Sequence, residues 1–276
     1  MLRLGIDLGG TKTEIIALND VGHELLRKRV TTKRGDYDAT LQTIKSLVEE
    51  AERELGDRGS VGIGTPGAIS AATGLMRNCN STWLNGKPLR NDLIQRLDRD
   101  VQIENDANCF ALSEATDGAG AGHRVVFGVI LGTGVGGGVV VEGKLLSGPN
   151  RIAGEWGHNP LPWPRDDERP GPGCYCGKNG CIETFLCGPA LSRDHARHNG
   201  IEISSREIVT TAEHGEACSL ASLERYEDRL ARALAHVINI LDPDVIVLGG
   251  GMSNITRWYE RVPALWAQWV FSDRVD

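Results

Sequence analysis

The sequence predicts an α/β protein built from two related halves, and three observations carry that expectation. Short apolar strands alternate with amphipathic helical stretches along the chain. A unit of strand, glycine turn bearing Thr, β-branched strand, second turn and Leu-Leu pair at residues 5–26 is echoed at 128–146. Such an echo suggests two domains, each presenting a phosphate-gripping hairpin to a shared cleft. Residues 154–183 form a loop-rich stretch that gathers one histidine and three cysteines.

The chain's 276 residues suffice for one large or two ordinary domains. Its composition, 40% hydrophobic and 24% charged, is that of a soluble globular protein. A net charge of -7 and the lack of any Lys/Arg block argue against nucleic acid as a partner. No apolar run has membrane-spanning length and no signal-peptide pattern is present, so no membrane association and a cytoplasmic location are expected. Of seven cysteines, Cys79, Cys109, Cys187 and Cys218 are scattered among apolar neighbours, as reduced thiols would be.

Residues 2–8 read as a strand, Gly9-Gly10-Thr11-Lys12 as a tight turn, and 13–18 as the returning strand. Such a hairpin can offer backbone N–H groups and a hydroxyl to phosphate, and Asp7 could hold Mg²⁺ through water. An ordinary hairpin would use the same glycines only to turn. Residues 37–55 have helical spacing, with Asp36 or Asp38 as cap. Residues 60–67 are a strand running into a turn. The polar stretch 78–86, with Trp83, could line a sugar pocket or be a surface loop.

A short helix is expected over 89–97 and a strand over 101–104, leading to Asn105-Asp106-Ala107-Asn108 and a helix over 109–116. Asp106, at the carboxyl end of a strand, sits where open α/β sheets place ligands, or it caps the helix. The strand 125–131 runs into Gly132-Thr133-Gly134-Val135-Gly136-Gly137-Gly138. Gly132, Gly134 and Gly137 match the dinucleotide fingerprint, but a β-branched strand follows where that fingerprint needs a helix, so the reading fails.

His158, Cys174, Cys176 and Cys181 make a Cys₃His set, a tetrahedral zinc donor set. The alternative is three reduced cysteines in a loop. A closed set leaves no open coordination position, so the metal would be structural, with Glu155 and Glu183 free to face something else. The second ring nitrogen of His158 is available to the same neighbour. Helices follow over 205–213 and 217–241, the second stopped by Asp242-Pro243. A strand over 244–248 then enters Gly249-Gly250-Gly251 and a helix from about 255. Those glycines allow close approach of a ring or phosphate, or only a tight connection.

Taken together, Asp7-Leu8-Gly9-Gly10-Thr11-Lys12, Glu104-Asn105-Asp106-Ala107-Asn108, Leu131-Gly132-Thr133-Gly134, Gly154-Glu155-Trp156-Gly157-His158, the Cys174–Glu183 segment and Leu248-Gly249-Gly250-Gly251 resemble, in this order, the ROK family of sugar kinases. Asn80-Ser81-Thr82-Trp83-Leu84-Asn85-Gly86, with Asn159-Pro160-Leu161-Pro162-Trp163, looks like the bacterial fructokinases and mannokinases of that family. Its N-acetylglucosamine kinases are close relatives and the competing reading.

The resemblance implies two actin-like (ribonuclease H-like) lobes around a central cleft, here residues 1–117 and 118–276. It implies ATP- and Mg²⁺-dependent phosphorylation of a hexose (fructose, mannose or glucose) at its primary 6-hydroxyl, with Asp106 as general base. Asn80, Asn105, Glu155, His158 and Glu183 would bind the sugar. Asp7 would hold Mg²⁺, while Gly9, Gly10, Thr11, Lys12, Gly132, Thr133, Gly134, Gly136 and Gly137 would face the ATP phosphates. Gly249, Gly250 and Gly251 would lie on the adenosine side. Zn²⁺ would be structural, bound by His158, Cys174, Cys176 and Cys181, and the protein a homodimer. The family also holds sugar-responsive repressors, with a DNA-binding segment ahead of the first strand; a first strand at Leu2 is what a kinase would show. Family members continue past this sequence's last residues into a strand and helix on the nucleotide side, so weaker ATP binding is expected if that segment is missing.

Overall fold

Alternation of buried and outward residues builds the first of two main sheets, whereas the central strands of the second are buried along nearly their whole length. The computed structural model describes residues 1–275; Asp276, the last residue of the second expected domain, lies outside them. The chain divides into two units, Met1–Cys109 with Ser147–Ile152, and Phe110–Leu146 with Ala153–Asp276. The short stretch joins the first unit through a hydrogen bond from the Arg77 guanidinium to the Asn150 carbonyl.

In the first unit, β1 (Arg3–Leu8), β2 (Lys12–Leu18) and β3 (Glu24–Thr31) form an antiparallel meander. After α1 (Tyr37–Leu55), β4 (Ser60–Thr65) pairs parallel to β1. A two-residue hairpin, β5 (Ala68–Ile69) and β6 (Met76–Arg77), precedes α2 (Leu89–Leu97) and β7 (Val101–Asn105), which completes the sheet order β3-β2-β1-β4-β7. Leu4, Ile6 and Leu8 of β1 point into a core shared with the α1 stripe Leu41, Ile44, Leu47, Val48 and Ala51. Asp36 caps α1, its side chain accepting from Ala39 N–H at 2.9 Å. β3 is absent from the sequence reading because it has no apolar alternation; charged pairs order it, Arg27 meeting Glu14 at 2.6 Å and Glu24 at 2.7 Å.

The helix expected from residue 109 starts three residues earlier, as α3 (Asp106–Asp117), directly after β7. In the second unit, β8 (Val125–Leu131) and β9 (Val135–Val141) pair antiparallel, with β10 (Lys144–Leu145) beyond β9. The helices α4 (Glu183–Leu186), α5 (Gly188–Asn199), α6 (Ser205–Glu213) and α7 (Ala217–Leu241) precede β11 (Val245–Gly249), parallel to β8, and α8 (Trp258–Trp266). The order β10-β9-β8-β11 repeats β3-β2-β1-β4 of the first sheet, antiparallel pairs and parallel neighbour included. Gly249-Gly250-Gly251 leads into a 3-10 turn (Gly251–Asn254), and α8 starts later than the expected 255. Among the described residues no helix is long and apolar enough to cross a membrane.

The irregular stretch between His158 and Cys174 is held by charge. Glu168, its side chain 2% exposed, accepts from Arg229 Nε and from an Arg232 guanidinium nitrogen, both at 2.8 Å. The same Arg232 donates to the carbonyls of Pro162 at 3.0 Å and Trp163 at 2.9 Å. Burial by itself would raise the Glu168 carboxyl, but hydrogen bonds from Arg232 and Arg229 outweigh it and lower it to about 2. A depressed folded-state value means the stabilisation is present above the ordinary carboxylate range and is lost as pH falls from about 4.5 toward 2. Removing one partner from a buried ion pair costs about 3–5 kcal/mol. Urea unfolding of Glu168→Gln is therefore expected to show a loss of that order at pH 7 and a shallower decline of stability between pH 5 and 3 than wild type. An unchanged acid slope would remove Glu168 from the account.

Candidate functional site

In the second unit two strand-like segments are stitched side by side: Ile182 N–H donates to Asn159 O and Leu161 N–H to Gly180 O, each at 2.9 Å. This places His158, at the end of a 3-10 turn (Trp156–His158), beside Cys181. A tight turn, Cys174 N–H to Lys178 O at 2.8 Å, folds Cys174 and Cys176 back toward them. The four ligand atoms of His158, Cys174, Cys176 and Cys181 all lie within 4.8 Å of one another.

The edges of this set can be tested against a metal. Tetrahedral zinc with sulfur at about 2.3 Å and nitrogen at about 2.0 Å has S···S edges of about 3.8 Å and S···N edges of about 3.5 Å. Cys176 Sγ and Cys181 Sγ are 3.6 Å apart, and Cys174 Sγ is 3.5 Å from His158 Nδ1. Burial and the neighbouring Cys176 and Cys174 push the Cys181 thiol up to about 12, the repulsion that a divalent cation would relieve. The residues fit zinc.

Around this set lie the two acids singled out in the sequence. Glu183 opens α4, and its Oε2 accepts from Val135 N–H at 2.9 Å, in the turn after β8. A Cβ on Gly134 would stand 2.6 Å from that oxygen, so a side chain there would push the carboxylate aside. Glu155 directly precedes the 3-10 turn, whose Trp156 donates its indole N–H to Gly136 O at 2.9 Å. The second nitrogen of His158 is occupied: Nε2 lies 2.9 Å from Tyr175 Oη. Burial of its hydroxyl end, and then the nearby Glu183 and Glu155, hold the Tyr175 phenol above its ordinary range, although the residue is 64% exposed.

The other side of the same turn opens onto a cavity of about 700 Å³. Gly132 and Thr133 line it, with Gly188 and Pro189 at the start of α5, Arg206 and Thr210 of α6, and Gly251. Gly188 N–H donates to Gly132 O at 2.8 Å, tying that helix to the hairpin. Of Gly249, Gly250 and Gly251, the last alone faces the cavity. Gly249 packs against the Phe110 ring, and Gly250 has φ +83° with Leu131 O where a Cβ would be, so both serve backbone packing. The α5 and α6 residues were not picked out from sequence; only Pro189 at a helix start gave a local signal.

In the first unit, Gly9 N–H donates to Lys12 O at 3.0 Å, and the Thr32 hydroxyl donates to Gly9 O at 2.9 Å. Gly10 lies against Ser81, so Asn80, exposed beside it, is near this hairpin. Asp7 is opposite Glu14 in the β1–β2 register. Desolvation and then Glu14 raise the Asp7 carboxyl, with Arg29 opposing, so a cation there would relieve a real penalty. Asn105, rather than Asp106, supplies the helix cap: its Oδ1 accepts from Ala107 N–H at 2.9 Å and Asn108 N–H at 3.3 Å. Its Nδ2 donates to Gly67 O at 3.1 Å, so both ends of that side chain are engaged within the chain. Asp106 is exposed in the first turn of α3, its Oδ1 accepting from Ala107 N–H at 2.8 Å. Glu104 Oε1 accepts from Asn105 N–H and Asn108 Nδ2, both at 2.9 Å, bracing this turn from behind.

Comparison with known proteins fits these features. The N-acetyl-D-glucosamine kinase of Escherichia coli O1:K1 is 43% identical over 268 residues, covering 94% of this chain and 88% of that protein. The kinase of the same name from Yersinia enterocolitica is 41% identical over 263 residues, covering 94% and 87%. The structure of the ROK hexokinase from Thermus thermophilus superposes with a TM-score of 0.85 at 32% identity, over 98% of this chain and 89% of that one. A ROK family glucokinase from Streptomyces griseus, in complex with glucose and AMPPNP, gives 0.80 at 28% identity, over 99% and 90%. The ROK family model matches residues 3–275. This chain belongs to the ROK family and has its two-lobed, actin-like α/β fold.

Proposed function

We propose that the chain is an ATP-dependent sugar kinase acting on the primary 6-hydroxyl of a hexose, with N-acetyl-D-glucosamine as the first acceptor to test. One observation carries the reading. The turn after β8 has a nucleotide-sized cavity against Gly132 and Thr133, and the Glu183 carboxylate against Gly134 and Val135. A single glycine turn thus separates a place for a nucleotide from a carboxylate–imidazole group suited to a polyol. The 43% identity to N-acetyl-D-glucosamine kinases supports that acceptor. Fructose, mannose and glucose are the second reading, favoured by the resemblance of residues 80–86 to fructokinases and mannokinases and by the glucose-bound relative. Hexoses differ by few hydroxyls, so the choice rests on individual hydrogen bonds.

In this reading Glu155 and Glu183 accept from sugar hydroxyls, His158 bonds one through Nε2, and Asn80 is a further contact. Asn105 contributes chiefly by capping α3 and thereby setting Asp106. Asp106 takes the proton of the 6-hydroxyl as its oxygen bonds to the γ-phosphorus, while the bond from that phosphorus to the ADP oxygen breaks. The Gly10-Thr11 and Thr133-Gly134 segments of the two glycine turns face phosphate oxygens in this reading, since the N–H groups of Gly9, Gly132 and Val135 are engaged within the chain. Mg²⁺, held at Asp7, would neutralise phosphate charge. Zn²⁺ on His158, Cys174, Cys176 and Cys181 would brace the sugar-facing loop.

ADP release with Mg·ATP should depend on added sugar, and the preferred acceptor emerges from comparing N-acetylglucosamine, glucose, mannose and fructose. Asp106→Asn should lower kcat by at least about 10²-fold with zinc content and melting temperature retained. Wild-type protein silent on every hexose would refute the reading. Metal analysis should find one zinc per chain. Cys181→Ser, or a strong chelator, should remove it and cut activity on the order of tenfold or more, with new proteolytic cleavage in residues 158–181. Full activity without metal would overturn the zinc assignment.

A further inference from the structure

The unexplained contact in this site is Tyr175. Its hydroxyl sits 2.9 Å from His158 Nε2, and the two rings meet edge to face at 5.0 Å and 89°. The same hydroxyl lies in the field of Glu183 and Glu155. These are three of the groups assigned above to the acceptor sugar, so the position is already filled by a side chain. We propose that the Tyr175 hydroxyl stands in for a sugar hydroxyl at His158 and is displaced when the acceptor binds, which makes Tyr175 a determinant of acceptor affinity. The inference rests on the sugar-kinase reading and adds a residue to it.

Chemistry allows the exchange in both directions. A phenol and a sugar hydroxyl each carry one donor and accept through oxygen. A ring nitrogen of His158 can donate to or accept from a hydroxyl, so Nε2 can exchange the phenol for a sugar hydroxyl without any other change at the histidine. Tyr175 can also leave. It is 64% exposed and stands between Cys174 and Gly177 on a turn, so rotation about its own side-chain bonds suffices. Among the described residues its hydroxyl and ring make one hydrogen bond and one edge-on ring contact, both with His158. A competing neutral hydrogen bond of ordinary strength corresponds to about two- to tenfold in apparent affinity.

The test compares wild type with Tyr175→Phe, which keeps the ring and deletes the competing oxygen. Four quantities are read: KM and kcat for N-acetylglucosamine and glucose, sugar affinity by calorimetry without nucleotide, and zinc per chain. The variant should bind sugar about two- to tenfold more tightly and show a KM lowered to match, with a smaller change in kcat and zinc unchanged. Wild type should also give a near-ultraviolet tyrosine difference spectrum on sugar addition that the variant lacks. Weaker sugar binding by the variant would make Tyr175 a sugar ligand, and loss of zinc would make it a support for His158; either result overturns the inference, as does an unaltered affinity. Should Tyr175→Phe fold poorly, the wild-type difference spectrum alone decides: no spectral change at saturating sugar sinks the displacement. Absence of wild-type turnover on any hexose is a separate outcome, since it sinks the kinase reading itself.

Discussion

The hydrogen bond from Val135 N–H to the Glu183 carboxylate joins the glycine turn after β8 to the loop that carries the Cys₃His set. An ionised acceptor on a backbone donor is among the stronger neutral-donor contacts, and here a side chain at residue 134 would push it aside. Two more contacts converge on the same turn: Trp156 donates to Gly136 O, and Gly188 donates to Gly132 O. The loop before β-bridged Pro160, the start of α4 and the start of α5 are thereby all referenced to one short hairpin. Both the cavity and the acid–imidazole group inherit their geometry from it.

Holding the intervening loop is a different problem, because residues 159–173 have little regular structure and few apolar side chains to bury. The solution is polar. Arg232, fully buried, reaches two loop carbonyls as well as Glu168, and Arg229 joins Glu168 to Asp194 of α5. Every charge in that cluster has an opposite partner at hydrogen-bond distance, the condition under which a buried network orders a chain rather than destabilising it. Glu227 does the same for α8, its buried carboxylate meeting Arg257 and Arg261.

Parts of the fold with strong local signals were legible in the sequence. The α1, α2, α6 and α7 bounds follow largely from apolar spacing, and the hairpin echoed in the sequence stands at corresponding places in the two sheets. β3 was illegible because a charged edge strand earns its order from its neighbour. α3 begins at Asp106 rather than near 109 because Asn105, the last residue of β7, caps it directly with no intervening loop.

Sequence by itself determined the chemistry: which residues are soft ligands, which are acids beside them, where glycines let the chain turn, and which family they resemble. These depend on side-chain identity and on neighbours a few residues away. Tertiary structure alone decided which of those groups meet. It turned Gly249 and Gly250 into packing residues while leaving Gly251 on the cavity, and it walled that cavity with α5 and α6. It also set Tyr175 on the histidine nitrogen that the sequence left for substrate. The physical reason is that a contact between distant residues depends on how whole elements pack, and no local pattern of residues encodes that distance.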